Sequence, residues 1–307
     1  MEPVDILADV DGRSRLKSLV EPLLRIPHEY RRFDTTPEAA ARDLGIGAPI
    51  QQMLIDHGVP HVGGGGDILF DSLDMSTISL SVSARSARRD AMRFWMRSLR
   101  RIASGPVAYQ VEVRGECPMP RHSGPCVYTV AGALSQAPRV VTDERRGVLL
   151  GEITRTITER PELLPPELAE LASRYADIDF YYLPTFLSLS AKFVERERIG
   201  DCVATAHAIF DAATEAGFEA RPAFGFIFSV PYSSPHTWTE VRFGGSWLPV
   251  DPLLPKALRY WGISREGEWP VNLSPLGLYH RISAEPIRLA WHGQAPSHAW
   301  LPTKVAQ

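Results

Sequence analysis

The stretch from Gly200 to Pro252 constrains this chain more than any other. In its second half His236, Trp238, Glu240 and Arg242 alternate with Thr237, Thr239, Val241 and Phe243, the period of a β-strand. Gly244-Gly245 is a two-residue hairpin signal, and Trp247-Leu248-Pro249-Val250-Asp251-Pro252 follows it. Pairing Phe243 with Ser246 sets Asp251 opposite Trp238. Asp251 then becomes the diagonal neighbour of His236 on one face, at a backbone separation of roughly 7–8 Å that the two side chains can bridge. Hairpin arithmetic therefore predicts a His–Asp pair, provided that no bulge shifts the register.

The first half opens with Gly200-Asp201-Cys202 directly before a helical pattern. Val203, Ala206, Ile209, Phe210, Ala213 and Gly217 give a buried stripe for a helix over Val203–Ala216, with Asp201 as its cap. Cys202 then lies at the helix N-terminus, where the macrodipole and the free backbone N–H groups favour a thiolate and can hold an oxyanion beside it. Taken singly, a free cysteine is most often a small buried hydrophobe and a strand histidine a structural residue. Taken together, a thiol at a helix start and an imidazole paired with a carboxylate form the pattern of an activated nucleophile.

Gly200-Asp201-Cys202, Gly217-Phe218-Glu219-Ala220-Arg221, Gly225, His236-Thr237-Trp238-Thr239-Glu240-Val241 and Trp247–Pro252 resemble the core of the transglutaminase-like superfamily. The similarity runs from Arg145 to Pro255, with specific motifs only from 200 to 252. It implies an α+β, papain-like core in which a cysteine-bearing helix packs on an antiparallel sheet; the helical patterns early in the chain add a mainly helical N-terminal region. By position it implies Cys202 as nucleophile, His236 as general base and acid, and Asp251 as the group that orients the imidazole. Relatives carry a second oxyanion donor upstream of the cysteine; Tyr181 and Tyr182 are the candidates here, with Trp238 as a further substrate contact. Ser297-His298-Ala299-Trp300 also resembles the family's His-Ala-Trp signature, but no aspartate follows it.

Such a triad implies attack on an acyl carbon and a thioester acyl-enzyme. The triad does not encode what resolves that thioester. The superfamily includes amide synthases that act on carrier-protein-bound substrates. The resemblance therefore implies an acyltransferase with an acyl donor, carried as a carrier-protein thioester, and an amine acceptor. A cysteine peptidase or amidase is the first alternative, and a non-catalytic binding module the second.

The remaining residues set the context. Two regions are expected, 1–135 with helices, a hairpin and a docking role, and 136–307 as the catalytic domain with a C-terminal segment rich in Pro, Gly and Trp that wraps it. Thr36-Pro37-Glu38 is a helix start signal, and two short helices flank Gly45-Ile46-Gly47. Gly63–Gly66 reads as a loop, since a strand pattern follows it where a phosphate cradle needs a helix. Ser86–Ile102 is an amphipathic helix on which Arg85, Arg89, Arg93, Arg97 and Arg101 recur every four residues. Arg89, Arg93 and Arg97 are the candidate docking residues for an acidic partner, against the plainer reading of a solvated helix face. Val107–Arg114 and Val127–Ala131 suggest a hairpin. Its loop holds Cys117, His122 and Cys126, three donors where a structural zinc site needs four at tighter spacing, so no metal and no cofactor are expected. Helical patterns follow at Arg145–Ile157, Glu167–Tyr175 and Leu187–Glu197.

A formal charge of −3 lacks the basic excess of a nucleic-acid binder. No apolar run has the 18 or so residues of a membrane span, and Met1–Asp5 has no basic n-region of a signal peptide. Three cysteines make no disulfide framework. A cytoplasmic protein is expected.

Overall fold

The structure is a computed structural model that describes residues 10–65, 67–82, 87–119, 121–135 and 137–306, without the side chains of residues 10–15 and 87. Met1–Asp5, Gly66, Arg85 and Ser86, which figure in the expectations above, lie outside the described residues. The chain forms two compact units, each assembled from separate segments. Each draws residues from both sides of position 135, because the C-terminal segments return to elements formed early in the chain.

One unit gathers the residues up to Asp90 with Ser173–Asp211 and Pro252–Val271, and it is mainly helical. Helix Pro37–Leu44 begins as its sequence predicts: Thr36 Oγ1 accepts from the Ala39 N–H at 3.2 Å, Pro37 fills the first position, and Gly45 closes the end at φ 71. The first helix, Val10–Leu23, runs through Pro22, which falls in its last turn. Leu16, Leu19, Val20, Leu23, Leu54, Phe70, Met75 and Ile78 form the apolar core.

Within that core lies a buried ion pair, with Arg31 Nε donating to Asp74 Oδ2 at 2.9 Å. Arg31 also donates to the carbonyls of Leu23, the last residue of the first helix, and of Ile26 just beyond it. Asp71 accepts from the N–H groups of Arg32, Leu73 and Asp74 and so starts the helix Ser72–Val82. Burial raises the Asp74 carboxyl to about 6, against the opposing pull of Arg31.

The other unit, Ala91–Ala172, Ala212–Asp251 and the residues from Asn272 on, is built on antiparallel sheets. One sheet orders Ser246–Val250, Ser234–Phe243, Ala220–Ile227 and Tyr279–Ser283 side by side. A second is centred on Val107–Gly115, which pairs with Val148–Ile157, Ala299–Trp300 and Thr303–Val305. In a third, Cys126–Val130 lies between Arg139–Thr142 and Ala290–His292. The architecture is the expected α+β class, with helices and antiparallel strands drawn from separate segments.

Two local expectations are overturned here. Val107–Gly115 and Cys126–Val130 do not pair with each other; the loop between them links two sheets. Residues 145–157 are not helical, since Val148–Ile157 is a strand nine residues of which pair with Val107–Gly115. Its charged residues match a helical spacing, but Ile153, Thr154, Thr156 and Ile157 are β-branched, and a long partner strand decides the outcome.

Gly225 is required where the strand Tyr279–Ser283 comes in. The register of the two strands shifts between Phe224 and Gly225, and a Cβ at 225 would lie 1.9 Å from the His280 carbonyl oxygen. Next along, His280 stacks on Phe228 at 5.0 Å and accepts at Nδ1 from Arg155 Nη1 at 2.9 Å. Burial first, and then the Arg155 charge, bring the imidazole down to about 4.

Gly225→Ala is expected to destabilise the protein by at least about 1–3 kcal/mol through this overlap, measured by urea unfolding; an unchanged midpoint would remove the requirement for glycine. His280 sets a pH dependence. Between the ordinary imidazole value of 6.5 and about 4 the unfolded chain takes up a proton that the native state refuses. Stability should therefore fall as pH drops through that window, and His280→Gln should flatten the fall in a series of thermal melts.

Candidate active site

The hairpin forms in the register its turn dictates. Phe243 pairs with Ser246 across Gly244-Gly245, which both take positive φ (58° and 87°), and the ladder continues to Thr239 opposite Val250. Asp251, one residue beyond, faces the His236 side of the sheet. His236 Nε2 donates to Asp251 Oδ2 at 2.7 Å, and both residues are buried (7% and 6% exposed). Donation from Nε2 leaves the lone pair of the neutral ring on Nδ1.

Two aromatic residues complete the surroundings of the pair. Tyr279 donates its hydroxyl to the same Asp251 Oδ2 at 2.6 Å and meets the His236 ring edge-on at 5.1 Å. No local sequence signal marks Tyr279. It arrives because Tyr279–Ser283 adds to the sheet beside Ala220–Ile227, with Tyr279 opposite Ile227. Trp238 lies nearly parallel to the His236 ring, with centroids 6.1 Å apart. At 1% exposure it is a packing residue and not the substrate contact expected of it. Its Nε1 donates to Glu240 Oε1 at 3.3 Å, while Glu240 Oε2 takes Arg221 at 2.7 Å and Arg221 covers the Trp247 ring at 4.0 Å. The charged residues of the motif thus hold the tryptophan that backs the histidine.

Cys202 belongs to the helical unit. It is a free, partly exposed thiol and the first residue of the helix Cys202–Glu215. Asp201 caps that helix, with Oδ1 accepting from the Ala204 N–H at 2.9 Å. Oδ2 accepts from Ser188 Oγ at 2.6 Å and from the Leu183 N–H at 3.4 Å. Burial raises the Asp201 carboxyl, and these hydrogen bonds oppose the rise. Gly200 is closely packed as well, because a Cβ there would meet Thr205 Oγ1 at 2.7 Å.

The two candidate tyrosines separate. A short parallel ladder between Ile199–Gly200 and Asp179–Phe180 brings both beside the helix start. The Tyr181 hydroxyl donates to the Leu19 carbonyl at 3.0 Å inside the core, which removes it as an oxyanion donor. Tyr182 points elsewhere. Burial raises its phenol, Arg88 stacked 5.3 Å over the ring lowers it, and charge on Cys202 adds to the rise.

The arginine row divides too. Arg89 turns inward and donates to the carbonyls of Leu80 and Trp261, so it serves structure and not docking. Arg93 is partly buried and Arg97 exposed, its guanidinium 5.3 Å over the Phe94 ring. His298, in the second His-Ala-Trp, precedes the strand Ala299–Trp300 and gives its carbonyl to Glu116. Among the described residues no helix is long and apolar enough to cross a membrane.

Residues 171–252 match the family model of the Transglutaminase-like superfamily. The matched span includes Cys202, His236 and Asp251. Among solved structures it is similar to one from Cytophaga hutchinsonii described as a candidate cysteine protease, at 12% identity and a TM-score of 0.34, over 66% of this chain and 89% of that one. No curated protein matches the chain.

Tyr279→Phe would leave a buried carboxylate one donor short. It is expected to lower the unfolding free energy by about 1.5–3 kcal/mol, the range for hydrogen bonds to charged groups, in a denaturant titration. A loss below about 0.5 kcal/mol would mean that the hydroxyl does not support Asp251.

Proposed function

We propose that this transglutaminase-like chain is a cysteine acyltransferase that forms an amide through an acyl-enzyme on Cys202. The observation that carries the proposal is the buried His236–Asp251 hydrogen bond of 2.7 Å. A carboxylate spent on fixing one imidazole tautomer has little purpose unless the opposite nitrogen works as a base. Cys202, partly exposed at a capped helix start, is the thiol suited to use it.

In the proposed reaction His236 Nδ1 takes the Cys202 proton as the sulfur attacks the acyl carbon of a thioester donor. A C–S bond to Cys202 forms, the C–S bond to the donor breaks, and the departing thiolate takes the proton from the imidazolium. An amine then attacks the acyl-enzyme. Its proton passes to His236, a C–N bond forms, and Cys202 leaves and is reprotonated. Backbone N–H groups of the helix start and the Tyr182 hydroxyl are the donors proposed for the oxyanion. These roles require the Cys202 sulfur to come within hydrogen-bond reach of Nδ1. An acidic carrier protein is the proposed donor, attracted by Arg97 and Arg101, both exposed on the helix Ala87–Ser104. The cytoplasm, which keeps such a thiol reduced, is the proposed setting.

Mass spectrometry of the protein with a synthetic acyl thioester should show one adduct, mapped to the Cys202 peptide and absent from Cys202→Ala. An added amine should discharge it faster than water does. Asp251→Asn should slow acylation by about 10³–10⁴-fold, the scale for losing the orienting carboxylate of a triad. A short bifunctional haloketone should crosslink Cys202 to His236. Discharge by water outpacing the amine would make the protein an amidase or peptidase, and turnover surviving in Cys202→Ala would overturn the nucleophile.

A further inference from the structure

Cys117 and Cys126 take no part in the chemistry proposed above. Both are buried, at 4% and 0% exposure, at the two ends of the loop that joins the second and third sheets of the strand-rich unit. His122 lies between them in the loop. A fourth donor comes from far along the chain. His292 ends the strand Ala290–His292, which pairs with Cys126–Val130 so that His292 stands opposite Tyr128. A ligand atom from each of Cys117, His122, Cys126 and His292 lies within 4.8 Å of every other.

We propose that Cys117, His122, Cys126 and His292 form a tetrahedral Cys₂His₂ site for one Zn²⁺. Zinc bonds of about 2.3 Å to sulfur and 2.0–2.1 Å to nitrogen put tetrahedral S···N edges at about 3.6 Å. The two sulfur–nitrogen edges seen here bracket that value: Cys117 Sγ to His292 Nε2 at 3.8 Å and Cys126 Sγ to His122 Nε2 at 3.4 Å. The two imidazole centroids are 4.9 Å apart, so both rings look into the same space.

The outer contacts fit the same assignment. His122 Nδ1 donates to the Ser123 carbonyl at 2.8 Å, which turns the Nε2 lone pair inward, the usual support for a metal-bound histidine. Arg145 Nη1 donates to Cys126 Sγ at 2.8 Å and Nη2 to the Gly124 carbonyl at 2.7 Å, while its own carbonyl accepts from the Cys117 N–H at 2.9 Å. One arginine thereby holds both ends of the loop and faces a sulfur with positive charge. Two soft thiolates and two imidazoles in a tetrahedral set, three of the four residues buried and His122 half-buried, select zinc over magnesium or calcium, which prefer oxygen. All four positions are filled by protein, which makes the site structural: it fastens the loop to the strand Ala290–His292. Binding releases the two thiol protons to solvent and changes no oxidation state.

The full chain, purified without chelator, should contain about one zinc per chain by plasma mass spectrometry, released when a mercurial blocks the thiols. Cys202→Ala should keep the metal. Cys117→Ser and His292→Gln should each weaken zinc binding by more than about a hundredfold, beyond the loss expected for an outer-shell partner. Because those variants can fail to fold, wild-type protein stripped of metal and titrated with Co²⁺ gives a second measurement. Intense thiolate-to-cobalt absorption with tetrahedral d–d bands is expected. Zinc-free protein that takes up neither Zn²⁺ nor Co²⁺ under reducing conditions would overturn the site. So would isolated protein with a Cys117–Cys126 disulfide that, once reduced, still binds no metal.

Discussion

The pairing of Phe243 with Ser246 is the constraint on which the candidate site depends. Side chains alternate strictly along a strand, so a slip of one residue in this ladder would send His236 and Asp251 to opposite faces of the sheet. The glycines of the turn permit the positive φ values that a two-residue connection needs. The ladder itself is unbroken from Phe243 to Thr239, so the turn's geometry reaches the His236–Asp251 pair without correction. Glu240 reinforces it from one flank by holding Arg221 and Trp238 at once, and Tyr279 from the other by adding a donor to Asp251.

The same economy of polar groups recurs through the protein. Burying a charge without partners costs several kcal/mol, so a buried charge has to be given hydrogen-bond partners. Arg31 and Asp74 tie the end of the first helix to another helix, with Asp71 capping the latter. Asp201 caps the cysteine helix and secures Ser188 and Leu183 upstream of it. Arg145 does the corresponding work around the Cys117–Cys126 loop. In each case one side chain fixes two or three stretches of backbone.

Local signals proved legible where the interactions are local. The Thr36-Pro37 start, the Asp201 cap and the hairpin register each involve residues a few positions apart, and each formed as its residues indicate. The failures share a cause. Residues 145–157 carry a pattern that suits either helix or strand, and the presence of Val107–Gly115 as a partner decided for the strand. Tyr181 and Tyr182 are adjacent and chemically alike, and only packing shows that the Tyr181 hydroxyl is committed to Leu19 while the Tyr182 ring lies under Arg88. Arg89 continues a periodic row by sequence, yet its guanidinium is taken by the carbonyls of Leu80 and Trp261.

By itself the sequence determined the His236–Asp251 pair, the capped helix that begins at Cys202, and the family to which this core is similar. Those features rest on turn geometry, strand period and helix capping, which act over a few residues and need no knowledge of the rest of the chain. Tertiary structure alone decided that Tyr279 joins Asp251, that Trp238 is packed behind the histidine, and that His292 meets Cys117, His122 and Cys126. Each of these depends on which distant strand docks beside which. That choice is made by the burial of whole faces, and no spacing within a single segment records it.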